Sequence, residues 1–399
     1  MQLTTTIKHS VLMASMCLGL GACGGSDKHS PASQSEPVKK AEVVQPESNT
    51  LDYQALIDQL VSDEVPGILL YVRTPEHEFT GAAGLADLEQ HSPMDVNSSF
   101  HIASSGKIFT ALLASMLHED GMLDLDNTLD TWLPDTLLEQ IQYSDQITLR
   151  QLLNHSSGIY NYSDKNTYVE DKLANPALPV TNESLTRYAL NNPGYFKPGA
   201  SVHYSNTNYT LAGMILDKVL GYHNAIEIRN RIITPLSLDA TFAIGYEQDQ
   251  GELTPGYDYI DGEFMNVGPL FSTIWSNATP VASSVADLAL FTRSLFKNSD
   301  FASESLQGLL RGNDSLVRED DNTQYALGMM KHTYSNAIVY EHSGGNHGYS
   351  TQNAYIESHD TSIVLFLNCG FSSEECVNAE YGLFELLLME LTKAPAVES

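Results

Sequence analysis

A serine hydroxyl is a poor nucleophile until a base takes its proton, and an amine can do so if its surroundings keep it uncharged. The chain sets such a pair one helical turn apart in Ser104-Ser105-Gly106-Lys107. A phenol and an amide follow in Tyr204-Ser205-Asn206, and a third polar segment in His342-Ser343-Gly344-Gly345. Together these residues supply a nucleophile, a base, a proton relay and a ligand for an acyl group. That set serves acyl transfer through a serine ester.

Two of these patterns recur elsewhere, and context separates the copies. Ser294 and Lys297 repeat the S-x-x-K spacing, but Ser294 lies in a stripe with Phe291, Leu295 and Phe296, and Lys297 reads as a helix end. Ser104 instead follows the apolar approach Phe100-His101-Ile102-Ala103 and opens a helix. A helix start offers free N–H groups and positive dipole to a developing oxyanion. Tyr222/Asn224 and Tyr334/Asn336 repeat the Y-x-N spacing at a helix end and at a turn between strands. Tyr204 comes after Phe196-Lys197-Pro198-Gly199, in a loop leading straight into a helix. His342-Ser343-Gly344 sits at a strand end, where glycines would let a substrate lie along the edge. There the Gly345 N–H could join that of Ser104 in an oxyanion hole. Taken alone, the segment reads equally well as a turn with a satisfied histidine.

The elements that must hold these groups come from both ends of the chain. Residues 51–62 carry Tyr53, Leu56, Ile57, Leu60 and Val61 at helical spacing, with Asn49 and Thr50 available as caps. Strands are expected over 68–72, then up to about Gly84, and again over 337–341, 350–357 and 362–368. A last helix over 377–391 should pack Tyr381, Phe384, Leu387, Leu388 and Leu391 on that sheet, with Glu380, Glu385 and Glu390 marking it as a globular rather than a membrane helix. The middle is helical, with stripes over 108–117, 149–153, 207–220 and 284–295, the last opened by a Ser284-x-x-Asp287 capping signal. The expected fold class is α+β: an antiparallel sheet from both chain ends flanked by helices, plus an all-α subdomain, with the active-site cleft between them.

Composition bounds the rest. The chain has 399 residues, 42% of them hydrophobic, and 50 acidic against 20 basic residues give a formal charge of −30. Such a surface repels phosphate backbones, so nucleic acid is excluded as a partner. Residues 1–22 read as a signal peptide whose apolar run is too short to span a membrane. The run ends Leu20-Gly21-Ala22-Cys23, similar to a lipobox, so Cys23 is the expected lipid anchor. Gly24 after it fits outer-membrane sorting in a Gram-negative envelope, facing the periplasm; a cleaved secretory signal is the alternative. Residues 23–50 are rich in Gly, Ser, Pro and charge and read as a flexible tether. A hydrolase domain is expected over 51–396. Cys369 and Cys376 remain as a disulfide candidate, worth roughly 2–3 kcal/mol by loop closure. Two cysteines without a histidine cluster do not make a metal site, and no cofactor is expected.

In combination, these motifs resemble the serine β-lactamase and penicillin-binding protein superfamily, specifically its class C branch of β-lactamases, DD-carboxypeptidases, esterases and D-amino-acid amidases. The resemblance runs over about residues 51–392 and includes Thr148-Leu149-Arg150-Gln151-Leu152-Leu153-Asn154-His155-Ser156-Ser157-Gly158. It implies that Ser104 attacks a carbonyl while Lys107 and Tyr204 move the proton, with His342 in the third motif. It also implies that Asn206 binds the acyl side chain, that Ser343 and Gly344 line the substrate strand, and that the Ser104 and Gly345 amides hold the oxyanion. Water activated from the Tyr204 side would then hydrolyse the ester. Where true β-lactamases begin the third motif with Lys, this chain has His342, which offers less charge to a substrate carboxylate. The resemblance therefore implies a DD-carboxypeptidase-like or esterase-like serine hydrolase acting on a small molecule or peptide with an ester or amide carbonyl. A weak β-lactamase, or a silent relative that binds peptidoglycan or a partner, is the alternative. The loops over 161–179 and 245–276 are expected to shape the pocket.

Overall fold

The two ends of the chain meet in one antiparallel sheet. The computed structural model describes residues 51–393 apart from 166, 177, 179, 248, 272–274, 314, 321 and 335–336. The expected signal peptide, Cys23, the tether and the caps Asn49 and Thr50 lie outside the described residues. Gly67–Arg73 pairs with Glu78–Asp87 on one side and with Thr361–Leu367 on the other. Beyond Thr361–Leu367 come Tyr349–Ile356, Ala337–Glu341 and Met330–Tyr334, with short strands closing each edge. Gly344–Asn346 stands off this path, paired only with Tyr349–Ile356.

The central strands are buried on both faces, which is why they read as continuous apolar runs. Leu69, Tyr71, Val364 and Phe366 point into the larger core, shared with the helical middle. Ile68, Leu70, Val72, Ile363, Leu365 and Leu367 point the other way, into a core closed by the helices Tyr53–Leu60 and Glu374–Leu391. Each such side chain contributes roughly 1.5–3 kcal/mol on burial. The sheet is a rigid wall with helices on both sides, as the α+β expectation had it.

Three local expectations need correction. The first helix starts at Tyr53, capped by Asp52, whose carboxylate accepts the Ala55 N–H at 3.0 Å. On the last helix Tyr381 is half exposed while Glu380 is buried, because Gln352 of the sheet donates to its carboxylate at 2.9 Å. Ser284 does cap Val285–Lys297, but Asp287 accepts from Ala240 N and Thr241 Oγ1 rather than completing a capping box with the Ser284 backbone. No described helix is long and apolar enough to cross a membrane.

Candidate active site

Ser104 sits in a tight turn, Ala103–Gly106, between the strand Phe100–His101 and the helix Lys107–Glu119. Every residue from Phe100 to Ser115 is buried except Ser104. The chain thus presents one hydroxyl to solvent from an otherwise closed segment. Ala103, directly before it, holds φ at +46°, a left-handed conformation that costs a residue with a β-carbon about 1–3 kcal/mol. Its N–H donates to His101 Nδ1 at 3.0 Å. Burial pushes His101 down to about 4, so the ring stays neutral and that nitrogen stays free to accept.

Lys107 Nζ lies 3.0 Å from Ser104 Oγ, 2.7 Å from Asn206 Oδ1 and 2.8 Å from the Ala278 carbonyl. It is fully buried, and burial holds its pKa well below the ordinary lysine value. A neutral amine has two N–H donors and one lone pair. Asn206 Oδ1 and the Ala278 carbonyl can only accept, so they take the two donors, and the lone pair is left facing the serine O–H. The contact is that of a base with its acid. Asn206 is oriented for this from behind: Ser163 Oγ–H donates to Asn161 Oδ1 at 3.0 Å, leaving its lone pair to accept from Asn206 Nδ2 at 3.0 Å.

The ring of Tyr204 lies 5.0 Å from Lys107 Nζ, centroid to nitrogen. Its hydroxyl is shut off from solvent, and burial raises its pKa well above the ordinary phenol value. Ser104 is close enough to offset part of that rise, yet the hydroxyl makes no hydrogen bond of regular geometry. The resting phenol is therefore protonated, and Lys107 rather than Tyr204 is the resting base. Tyr204 is held from beneath by His155, whose ring packs against it at a tilt of 32°, centroids 4.4 Å apart. His155 Nδ1 accepts from the Ser205 N–H at 3.1 Å and faces Asn208 Nδ2 at 3.2 Å, gripping the turn that carries Tyr204 and Asn206.

His342 closes the site from the sheet side. Its Nδ1 lies 2.6 Å from the Ser343 carbonyl, which can only accept, so the proton is on Nδ1. Its Nε2 is buried without a partner. Burial, with Lys107 adding to it, pushes the ring down to about 3, so His342 carries no charge toward a substrate. Ser105 Oγ donates to the His342 carbonyl at 2.7 Å and ties this segment to the nucleophile turn.

The family model for Beta-lactamase matches residues 53–386. This chain belongs to the beta-lactamase family. A penicillin-binding protein of Bacillus subtilis is 30% identical over 303 residues, covering 71% of this chain and 63% of that relative. A D-stereospecific amidohydrolase from Streptomyces sp. superposes with a TM-score of 0.71 at 30% identity, covering 82% of this chain and 97% of that one. A D-amino acid amidase from Ochrobactrum anthropi SV3 shares the fold, with a TM-score of 0.69 at 24% identity over 84% of this chain and 98% of that one. The chain spans 63–65% of the length of the curated relatives it matches. Members of the beta-lactamase family, penicillin-binding proteins among them, are serine hydrolases.

In this beta-lactamase-family site the two glycines of the third motif have different tasks. A β-carbon at Gly344 would meet the Ile102 carbonyl at 2.3 Å, Thr351 Oγ1 at 2.4 Å and the Ser104 nitrogen at 3.1 Å. Gly344 is thus there to let the strand touch the nucleophile turn, not to admit substrate. At Gly345 a β-carbon would meet only the Phe371 ring, at 4.0 Å. Gly345 is the open one. Gly344→Ala should therefore push the strand off the turn and lower kcat/KM about 100-fold, the cost of a misplacement near 1 Å. Gly345→Ala should cost less than tenfold. Steady-state kinetics on both variants decide this, and equal losses would contradict it.

Ser104, Asn206 and Gly345 share one cleft with Asn346, Tyr162, Tyr168 and Leu185. A larger cavity of about 420 Å³ runs past Phe242, Leu253 and Pro255, but its described lining has two carboxylates and no nucleophile beside a base. Chemistry, not size, selects the first. The other pattern matches fall away: Ser294 is buried in its helix while Lys297 is exposed, and Tyr222 is exposed. Asn336 lies outside the described residues. Cys369 and Cys376 are joined in a buried disulfide. Among the described residues no group of His, Cys, Asp or Glu could hold a metal ion. The sequence reading quoted His155 without a role and treated Asn161 and Ser163 only as part of a loop. The Asn154-to-Gly158 segment was the one available signal.

Proposed function

We propose that this chain hydrolyses small esters or amides through an acyl-enzyme on Ser104, with D-amino-acyl amides and esters as the substrate class. One observation carries the reading: a fully buried amine whose only acceptors leave its lone pair aimed at a reachable serine hydroxyl. A buried amine without a carboxylate partner is costly to the fold and is found where it works.

The steps follow from the placement of protons. Ser104 Oγ bonds to the substrate carbonyl carbon as its proton passes to Lys107 Nζ. The carbonyl oxygen takes the negative charge, facing the N–H groups of Ser104 and Gly345. The lysine proton then reaches the leaving oxygen or nitrogen by way of the Tyr204 hydroxyl, and the carbonyl–leaving-group bond breaks. Water then attacks the acyl carbon as its proton passes to Lys107, and that proton goes on to Ser104 Oγ as the ester bond breaks, which releases the acid and restores the serine hydroxyl and the neutral amine. Two buried polar atoms without partners, Tyr204 Oη and His342 Nε2, belong to side chains whose rings are 6.1 Å apart in this site. Such orphans fit groups that await a substrate. The Streptomyces amidohydrolase, at 30% identity, supports the D-stereospecific class. A neutral His342 supports an esterase or amidase over an enzyme that grips a carboxylate.

The test is intact mass after incubation with a fluorophosphonate and with p-nitrophenyl and D-amino-acyl esters. One adduct per chain is expected, on the peptide containing Ser104. No adduct with any of them, or an adduct that survives Ser104→Ala, rejects the reading.

A further inference from the structure

Phe371 is 54% exposed, among the most exposed of the large apolar side chains. Its position is nonetheless tightly built. It lies in the loop closed by the Cys369–Cys376 disulfide. Next to it the Gly370 N–H donates to the Tyr257 carbonyl at 3.0 Å, and a β-carbon at Gly370 would strike Asp258 Oδ2 at 2.5 Å. Asp258 is buried and lies 2.8 Å from His347 Nδ1, and the His347 ring packs against Phe371 at 4.8 Å. The strand Tyr257–Ile260 thus fixes both the disulfide loop and the turn that follows Gly344–Asn346.

The ring so fixed is what a β-carbon on Gly345 would meet, on the open side of that glycine. Gly345 also lines the cleft with Ser104, Tyr162, Tyr168 and Leu185. No cationic side chain is among that cleft's described lining. The walls carry no charge, with Tyr162, Tyr168 and Leu185 standing among Asn206, Ser276, Thr279 and Asn346; this disfavours a substrate carboxylate and leaves the exposed Phe371 ring as the apolar surface beside Gly345. We propose that Phe371 is a specificity-determining residue that packs against an aromatic or bulky apolar group of an ester or amide substrate passing Gly345. The inference rests on the hydrolase reading above and narrows its substrate class. It also gives the disulfide a task, since the same loop seats the ring.

The experiment compares kcat/KM for p-nitrophenyl phenylacetate and p-nitrophenyl acetate in the full chain, with fluorophosphonate labelling of Ser104 followed in parallel. In Phe371→Ala the phenylacetate-to-acetate ratio should fall about tenfold, mainly through KM, the usual worth of a lost apolar contact. Phe371→Tyr should keep the wild-type ratio. Reductant that opens Cys369–Cys376 should move the ratio as Phe371→Ala does. Because the ring is exposed, its removal leaves folding intact, and the melting temperature checks this. Intact labelling with a ratio within twofold of wild type in Phe371→Ala overturns this inference alone. Absence of labelling in the wild type overturns the hydrolase reading and this inference with it.

Discussion

Lys107→Met should slow acylation of Ser104 by about 1,000-fold, within the range a positioned general base supplies. Methionine nearly matches the volume of the lysine stem but has no lone pair to take the serine proton. The loss should appear in the rate of fluorophosphonate labelling, not only in steady-state turnover. A labelling rate within tenfold of wild type would show that some other group is the base. The same variant has a second signature, in stability. Burial lowers the native pKa of Lys107 well below its ordinary value, whereas the unfolded chain keeps it at about 10.4. Between those two values the unfolded state binds one more proton than the native state. Unfolding free energy therefore rises with pH across that window, by up to about 1.4 kcal/mol per pH unit. Lys107→Met lacks this contribution. Subtracting the variant's unfolding free energy from the wild type's should give a difference that grows as pH is raised toward 10. A flat difference in urea titrations at several alkaline pH values would mean that the native lysine is charged. Activity should follow the same group, falling as pH drops through its native pKa and the amine becomes an ammonium.

What the sequence disclosed, and what it withheld, divides along physical lines. Gly67–Arg73 and Thr361–Leu367 were readable because strands buried on both faces carry an unbroken apolar run, here 68–72 and 363–367, wherever they lie in the chain. Ser104 and Lys107 were readable because both stand on a single helical turn, and helical geometry fixes their proximity. His155 was not. It acts across 49 intervening residues on the turn that carries Tyr204, and a lone histidine in a loop has no period to betray it. Asn161 and Ser163 were hidden for the same reason. On the last helix Glu380 served in the sequence only as a charge that a membrane helix would not carry, and its burial against the sheet was not legible. Burial raises it to about 7, against the pull of the Gln352 donor, so the carboxyl can be neutral inside the protein. Gly344 was expected to line the substrate strand, and only the folded contact with Ile102 and Ser104 shows that it is closed against the nucleophile turn instead. Contacts within one element could be inferred; contacts between elements had to be seen.

The site also makes the fold sensitive to acid. His101 is held down to about 4 and His342 to about 3, both chiefly by burial, against an ordinary value near 6.5. His155 is lowered well below that value too, by burial and then by Lys107. As pH falls below 6.5 the unfolded chain takes up protons at these rings while the native protein does not. Stability must then fall with pH, by about 1.4 kcal/mol per pH unit for each histidine that stays neutral in the fold. For His101 the decline runs from about 6.5 to 4, and for His342 from about 6.5 to 3. Protonation of carboxylates on a chain of net charge −30 relieves repulsion and works the other way. The comparison must therefore be made against variants that keep that surface. His101→Asn retains an acceptor for the Ala103 N–H, and His342→Asn retains a donor for the Ser343 carbonyl. Each should flatten the slope of unfolding free energy between pH 6.5 and 4.5 by about the contribution of one ring. A slope unchanged by either substitution would show that these histidines are already protonated in the native protein. Protonation would cost His101 its role as acceptor to Ala103, directly beside the nucleophile, and would add charge next to Lys107. In the proposed mechanism these imidazoles stay neutral as the resting lysine does, and the serine proton passes to Lys107.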